Sequence, residues 1–192
     1  MRSLKWLLGL IPLALVGLVV VLSLRPGVYL PVHRHCMHVA ALELRTYALS
    51  HGDRFPQHPK GYGNALLLLR EDSWPYLTGP GYDVAVFQDA KAAGKELPEE
   101  LCGRVYVQGL TTDCDARLVV LFDKLATPGG DHCHFPVRLW APRGREALHV
   151  DGHIEFVSDE NWSAFAEEQI NLLVREGIPR AEAERLYAQI VR

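Results

Sequence analysis

Residues 146–157 read EALHVDGHIEFV. Two short runs rich in β-branched and aromatic residues flank Asp151-Gly152, the dipeptide that supplies positive φ in tight hairpin turns. The stretch predicts a β-hairpin closed by a type I′ turn. Leu148, Val150, Ile154 and Phe156 alternate with polar neighbours, so one face of the hairpin is expected to be buried. Upstream, Arg104–Gln108 (RVYVQ) and Arg117–Phe122 (RLVVLF) have the same character and predict a second antiparallel pair.

The hydrophobic period changes on either side of these strands. Downstream, Ser158 or Asp159 is placed to cap a helix over 160–175 with Trp162, Phe165, Ile170, Leu173 and Val174 inward. Gly177 ends it, and Pro179 opens a last helix. Upstream, CMHVAALELRTYALS (36–50) places Met37, Ala40, Ala41, Leu44 and Ala48 at helical spacing, and His51-Gly52-Asp53 stops the run. Asn64 is expected to cap a short helix over ALLLLRED. Trp74-Pro75-Tyr76-Leu77 falls in a turn region, and 83–95 reads either as a helix capped by Asp83 or as a strand. Helices and strands segregate along the chain, so the expected class is α+β: a small antiparallel sheet packed by helices.

The amino end obeys another rule. Trp6–Leu24, WLLGLIPLALVGLVVVLSL, holds no charge, and nineteen helical residues span about 28 Å, close to the hydrocarbon thickness of a bilayer. Residues 1–25 are therefore expected to be a single-pass transmembrane signal anchor contacting lipid through residues 6–24. Residues 26–35 form a linker, and 36–192 an extracytoplasmic domain. The apolar run exceeds that of an ordinary cleaved signal peptide, and no small-x-small pair follows it. The expected location is the inner (cytoplasmic) membrane, with the carboxyl-terminal domain periplasmic or extracellular. Residues 1–35 carry four basic and no acidic residues; the whole chain is −3, which leaves −7 on the other 157 residues. That acidic balance argues against a nucleic-acid partner.

The four cysteines all follow the apolar run. Two readings stand: bridges Cys102–Cys114 and Cys36–Cys133 in an oxidising compartment, or thiols packed as small apolar groups. Among the nine histidines, His35, His38, His132 and His134 are the candidates for a metal, because His132 and His134 would share one face of a strand and a Cys36–Cys133 bridge would bring the two clusters together. His149 and His153 flank the Asp-Gly turn. Asp113 and Asp115 around Cys114 read as a solvated turn. No H-E-x-x-H, C-x-x-C, G-x-S-x-G or phosphate-binding glycine loop is present, so no catalytic residue and no cofactor is assigned.

Two stretches carry a resemblance. Cys36-Met37-His38 through Leu42, Tyr47-Ala48 and Gly52-Asp53-Arg54-Phe55-Pro56 is similar to the segment of pilin-like, type II secretion pseudopilin proteins in which the first helix ends before a G-x-F-P loop. Arg145–Val157 is similar to the DGH hairpin that closes the sheet in many of them. The chain lacks their Gly-Phe cleavage motif and their early membrane glutamate. The resemblance implies a pilin-like fold outside the membrane and a structural or protein-interaction role with a protein partner, rather than an enzyme. The alternative is a periplasmic metal- or thiol-dependent enzyme using the His and Cys clusters.

Overall fold

In a computed structural model that describes residues 35–128 and 142–190, the chain is α+β. Five antiparallel strands, β1 (Arg104–Tyr106), β2 (Val119–Asp123), β3 (Thr127–Pro128), β4 (Arg143–His149) and β5 (Ile154–Ser158), make one sheet. β2 and β3 lie along one side of β4 and β5 along the other, with β1 outside β2. Helix α1 (His35–Ser50) precedes the sheet. Short helices α2 (Tyr62–Leu66), α3 (Trp74–Leu77) and α4 (Ala85–Ala92) follow it, and α5 (Trp162–Arg175) and α6 (Arg180–Tyr187) close the chain. Among the described residues no helix is long and apolar enough to cross a membrane. Residues 6–24, where the anchor is expected, lie outside them.

The hairpin forms, but its turn differs from expectation. Leu148 pairs with Ile154 and Glu146 with Phe156. A two-residue Asp-Gly turn would shift this register by one and set Leu148 against Glu155. Matching apolar to apolar instead leaves a three-residue loop, Val150-Asp151-Gly152. Its bonds are His149 N–H to His153 O at 2.8 Å and Gly152 N–H to His149 O at 2.9 Å. Only Gly152 takes a positive φ, 90°, and Asp151 does not, so the type I′ turn is replaced by a turn with a glycine bulge.

Burial of the hairpin is also wider than a single face. Gly144 through Val150 are all buried, because helices cover both sides of β4. On one side Phe122 of β2 packs against Trp162 and Tyr187, with ring centroids 5.4 and 4.7 Å apart, and Arg145 of β4 lies 4.9 Å over the Trp162 ring. On the other, α1 buries Met37, Ala40, Ala41, Leu44 and Ala48, the phase expected from their spacing.

Several local expectations shift. Asn64 does not cap α2: the helix starts two residues earlier, and the Asn64 amide sits inside it. Its Oδ1 accepts from Leu97 N–H at 3.1 Å, and its Nδ2 donates to Lys60 O at 2.9 Å. Residues 74–77 form one helical turn, and 85–92 settle as helix, with Asp83 Oδ1 accepting from Ala85 N–H at 2.9 Å. α5 begins at Trp162, with Asn161 at the cap position making no side-chain cap bond; Ser158 ends β5, and Asp159 pairs with Arg145 at 2.6 Å. Val174 faces outward at 37% exposure while Leu172 and Gln169 turn inward.

Gln169 repairs the irregularity of β2, whose register with β4 slips between Val119 and Leu121. Its Oε1 accepts from Val119 N–H and its Nε2 donates to Arg117 O, both at 3.0 Å. A buried amide thus supplies bonds that the ladder omits there. Gln169→Leu, close in size but without the amide, is expected to lower unfolding stability by about 2 kcal/mol, because Val119 N–H stays buried and unbonded. Urea unfolding followed by tryptophan fluorescence measures it.

Candidate functional site

Three places gather chemistry-bearing groups. The first is the junction of α1 with the hairpin. Arg45 Nη1 donates to Asp151 O at the hairpin tip at 3.0 Å. A Cβ on Gly152 would stand 3.1 Å from the same Nη1, so a small residue there keeps the approach open. Asp151 Oδ1 accepts from His153 N–H at 2.8 Å and fixes the loop. The two segments that carry the pseudopilin resemblance therefore touch.

Beside the loop lies His149, buried between β2, β5 and α5. Its Nδ1 is 2.8 Å from Arg117 O and its Nε2 3.2 Å from Glu155 Oε2, while its ring meets His153 at 5.6 Å and the edge of Phe165 at 6.4 Å. Both ring nitrogens are occupied by oxygen neighbours.

The third place is centred on Glu99, in a one-turn 3₁₀ segment (Glu99–Leu101) ahead of β1. Glu99 Oε1 accepts from Tyr62 N–H at 3.1 Å. Its Oε2 accepts from Arg185 Nη1 at 2.6 Å and Gln189 Nε2 at 3.1 Å, and its carbonyl accepts from Lys124 Nζ at 2.6 Å. Tyr62 O–H donates to Gln189 Oε1 at 2.6 Å, and Lys124 Nζ lies 5.7 Å from the Tyr62 ring centroid. Burial pushes the Tyr62 hydroxyl well up and the Lys124 ammonium down. Burial alone would raise the Glu99 carboxyl, but the bonds from Arg185, Tyr62 N–H and Gln189 outweigh it and hold it below the ordinary range. The cluster ties α2 and α6 to the approach of β1.

A group whose folded pKa is depressed stabilises the fold above its unfolded value, about 4.3 for glutamate, and loses that contribution as pH falls through the folded value. Glu99→Gln is therefore expected to cost on the order of 1 kcal/mol at pH 7 and progressively less as pH falls through the folded value. Melting temperatures of parent and variant that converge on acidification check it; parallel curves contradict it.

The cysteine expectations meet this site. Cys102 and Cys114 are free thiols, so the Cys102–Cys114 bridge does not form. β1 stands between them: Cys102 precedes it with Sγ 3.7 Å from Pro98 O, while Cys114 lies beyond its far end with Sγ 3.4 Å from Thr111 N. Burial pushes the Cys102 thiol up to about 12, which keeps it protonated and weakly nucleophilic at neutral pH. Cys36 is half-buried on α1; its expected partner Cys133 lies outside the described residues.

Of the metal candidates, His35 opens α1 and His38 is exposed on it, whereas His132 and His134 lie outside the described residues. Among the described residues no three His, Cys, Asp or Glu side chains are arranged to hold a metal ion. Asp115 forms an exposed pair with Arg117 at 2.6 Å, and that side-chain bond holds its carboxyl down at about 2.

Two concavities flank the Glu99 cluster. One of about 190 Å³ is lined by Tyr62, Tyr106, Gln108 and Arg185 among others. Its polar groups are spent inside the fold: Tyr106 O–H donates to Pro56 O at 2.7 Å, and Gln108 Oε1 accepts from His58 N–H at 2.7 Å. The other, an open groove of about 690 Å³ beside α4, is mainly apolar, with Val86, Ala90, Leu97, Pro98 and Leu101 in its wall.

Sequence reasoning missed Glu99, Lys124 and Gln169. Their side-chain hydrogen-bond partners lie 25 to 90 residues away, so only the tertiary fold brings them together. Comparison with protein-family models, with curated proteins and with solved structures finds no match.

Proposed function

We propose that this chain is a single-pass membrane-anchored protein whose extracytoplasmic α+β domain has a pseudopilin-like fold and acts through protein–protein contact. One observation carries the reading. The helix that follows the apolar amino-terminal stretch is bonded through Arg45 to the tip of the DGH hairpin, so the two segments similar to the pseudopilins form one unit. The polar clusters support it from the other side. Around Glu99 and His149 the groups are engaged with one another, an arrangement suited to holding a rigid surface in place.

The test is fractionation of cells making the full chain. The expected result is a full-length protein that stays with carbonate-washed inner membranes, with its domain digested by protease added to the outside of spheroplasts. A chain shortened near residue 35, a chain in the soluble fraction, or a protected domain overturns the reading.

A further inference from the structure

We propose that α1 pairs side by side, in parallel and in register, with α1 of a second copy of this chain. This rests on the membrane-anchor reading above. Two large apolar side chains on α1 point away from the core: Leu42 is 63% and Leu49 79% exposed, the highest values among the large hydrophobic residues described as exposed. They stand seven residues apart. Half-buried Val39 and exposed Thr46 fall between and beside them, so that 39, 42, 46 and 49 follow the alternating three- and four-residue spacing of a two-helix seam, with leucine at both d positions. The opposite face of the same helix buries Met37, Ala40, Ala41, Leu44 and Ala48 in the core. The helix therefore presents two apolar stripes, and among the described residues only one is covered.

The second copy is the occupant because of what precedes the helix. The 34 residues ahead of α1 contain the nineteen-residue apolar stretch, which ends at Leu24, with ten residues between it and the start of the helix at His35. Copies anchored in one membrane would present this helix in the same direction and at similar height above the lipid. Confinement raises the effective concentration, so a seam of two heptads, too short to hold two free domains together, becomes sufficient. A parallel arrangement sets Leu42 against Leu42 and Leu49 against Leu49.

The experiment places a photoreactive benzoylphenylalanine at Leu42, at Leu49 and, as a control, at exposed Lys91 on α4, in the full chain in native membranes. The expected product has twice the chain's mass, arises from positions 42 and 49 but not 91, and yields α1 peptides joined to α1 peptides. Leu42→Glu with Leu49→Glu, both at exposed sites and so compatible with the fold, is expected to reduce a self-adduct formed from position 46 by about tenfold or more, while circular dichroism and melting stay at parental values. Adducts only to lipid, adducts only to another protein, or equal self-adducts from position 91 overturn the pairing. A chain retained on carbonate-washed membranes without a self-adduct overturns the pairing and leaves the anchor standing; a chain washed out overturns both.

Discussion

Asp123→Ala is expected to lose about 3–5 kcal/mol of unfolding stability, the largest effect of any single substitution considered for this fold. Asp123 and Arg104 are both completely buried, and Arg104 Nε donates to Asp123 Oδ1 at 2.8 Å. The other carboxylate oxygen faces Glu146 N–H at 3.4 Å, and Arg104 Nη1 donates to Tyr76 O. Arg104 Nη2 has no hydrogen-bond partner among the described residues, so the guanidinium is incompletely compensated before any mutation. Removing the carboxylate leaves a cation in the interior with one neutral acceptor. Asp123→Asn separates the contributions: it keeps an oxygen near Nε without the charge, and should recover about half of the loss. Arg104→Met combined with Asp123→Leu should recover more than either single variant, since filling the volume with apolar side chains removes the need for compensation. Urea unfolding of the four proteins checks the order. If Asp123→Ala melts within a degree or two of the parent, the pair does not hold β1 to β2 in the way described.

Gly79→Ala is the second large effect, on the order of 3 kcal/mol, and it comes from two separable causes. Gly79 has a φ of 84°, which an L side chain enters only under strain. A Cβ there would also stand 2.7 Å from the carbonyl carbon of Gly103 and 2.8 Å from Arg104 Cγ. The two segments cross at this point, with Gly103 N–H donating to Thr78 O at 2.8 Å. Gly103 is the reciprocal case: without a positive φ, its added Cβ would meet Thr78 O at 2.4 Å. Gly52 supplies the third corner, with φ 65° and nothing within 4 Å of an added Cβ. Gly52→Ala should therefore show strain alone, about 1 kcal/mol, Gly103→Ala crowding alone, and Gly79→Ala both. Chemical denaturation of the three variants measures the series. Equal losses at Gly52 and Gly79 would mean that the crossing of Gly79 and Gly103 has room for a methyl group.

The same residues explain what could be read from the sequence. The α1 phase was legible because Met37, Ala40, Ala41, Leu44 and Ala48 repeat with the helical period and bury together. The strands of the hairpin were legible for the equivalent reason in a period of two. Its turn was not, because Asp-Gly is only a local preference and the pairing of Leu148 with Ile154 overrides it. Arg104 opens the run RVYVQ, and Asp123 follows the run RLVVLF. Their burial depends on each being the other's cross-strand neighbour, which periodicity within one strand cannot show. A register count would have shown it, since aligning Val105 with Phe122 places the two charges opposite one another. Asn64 was misread for a related reason: an Asn before an apolar run suggests a cap, whereas here its amide mimics a strand partner for Leu97. The exposed Leu42 and Leu49 were present in the sequence throughout, but the inward stripe of the same helix had already explained its apolar content.

The Arg45–Asp151 bond also determines how the domain would respond to tension entering from its amino end. Force arriving at residue 35 would act along α1 first, and there it meets Met37 and then mostly small buried side chains, Ala40, Ala41 and Ala48, around the single Leu44. Such a helix peels turn by turn, giving up little apolar area at each step. The Glu43–Arg70 ion pair and, two residues on, the bond to the hairpin tip lie in the second half of the helix and interrupt the peeling as Leu44 begins to lift. The five-stranded sheet lies behind that bond, so α1 is expected to yield under such a pull before the sheet does.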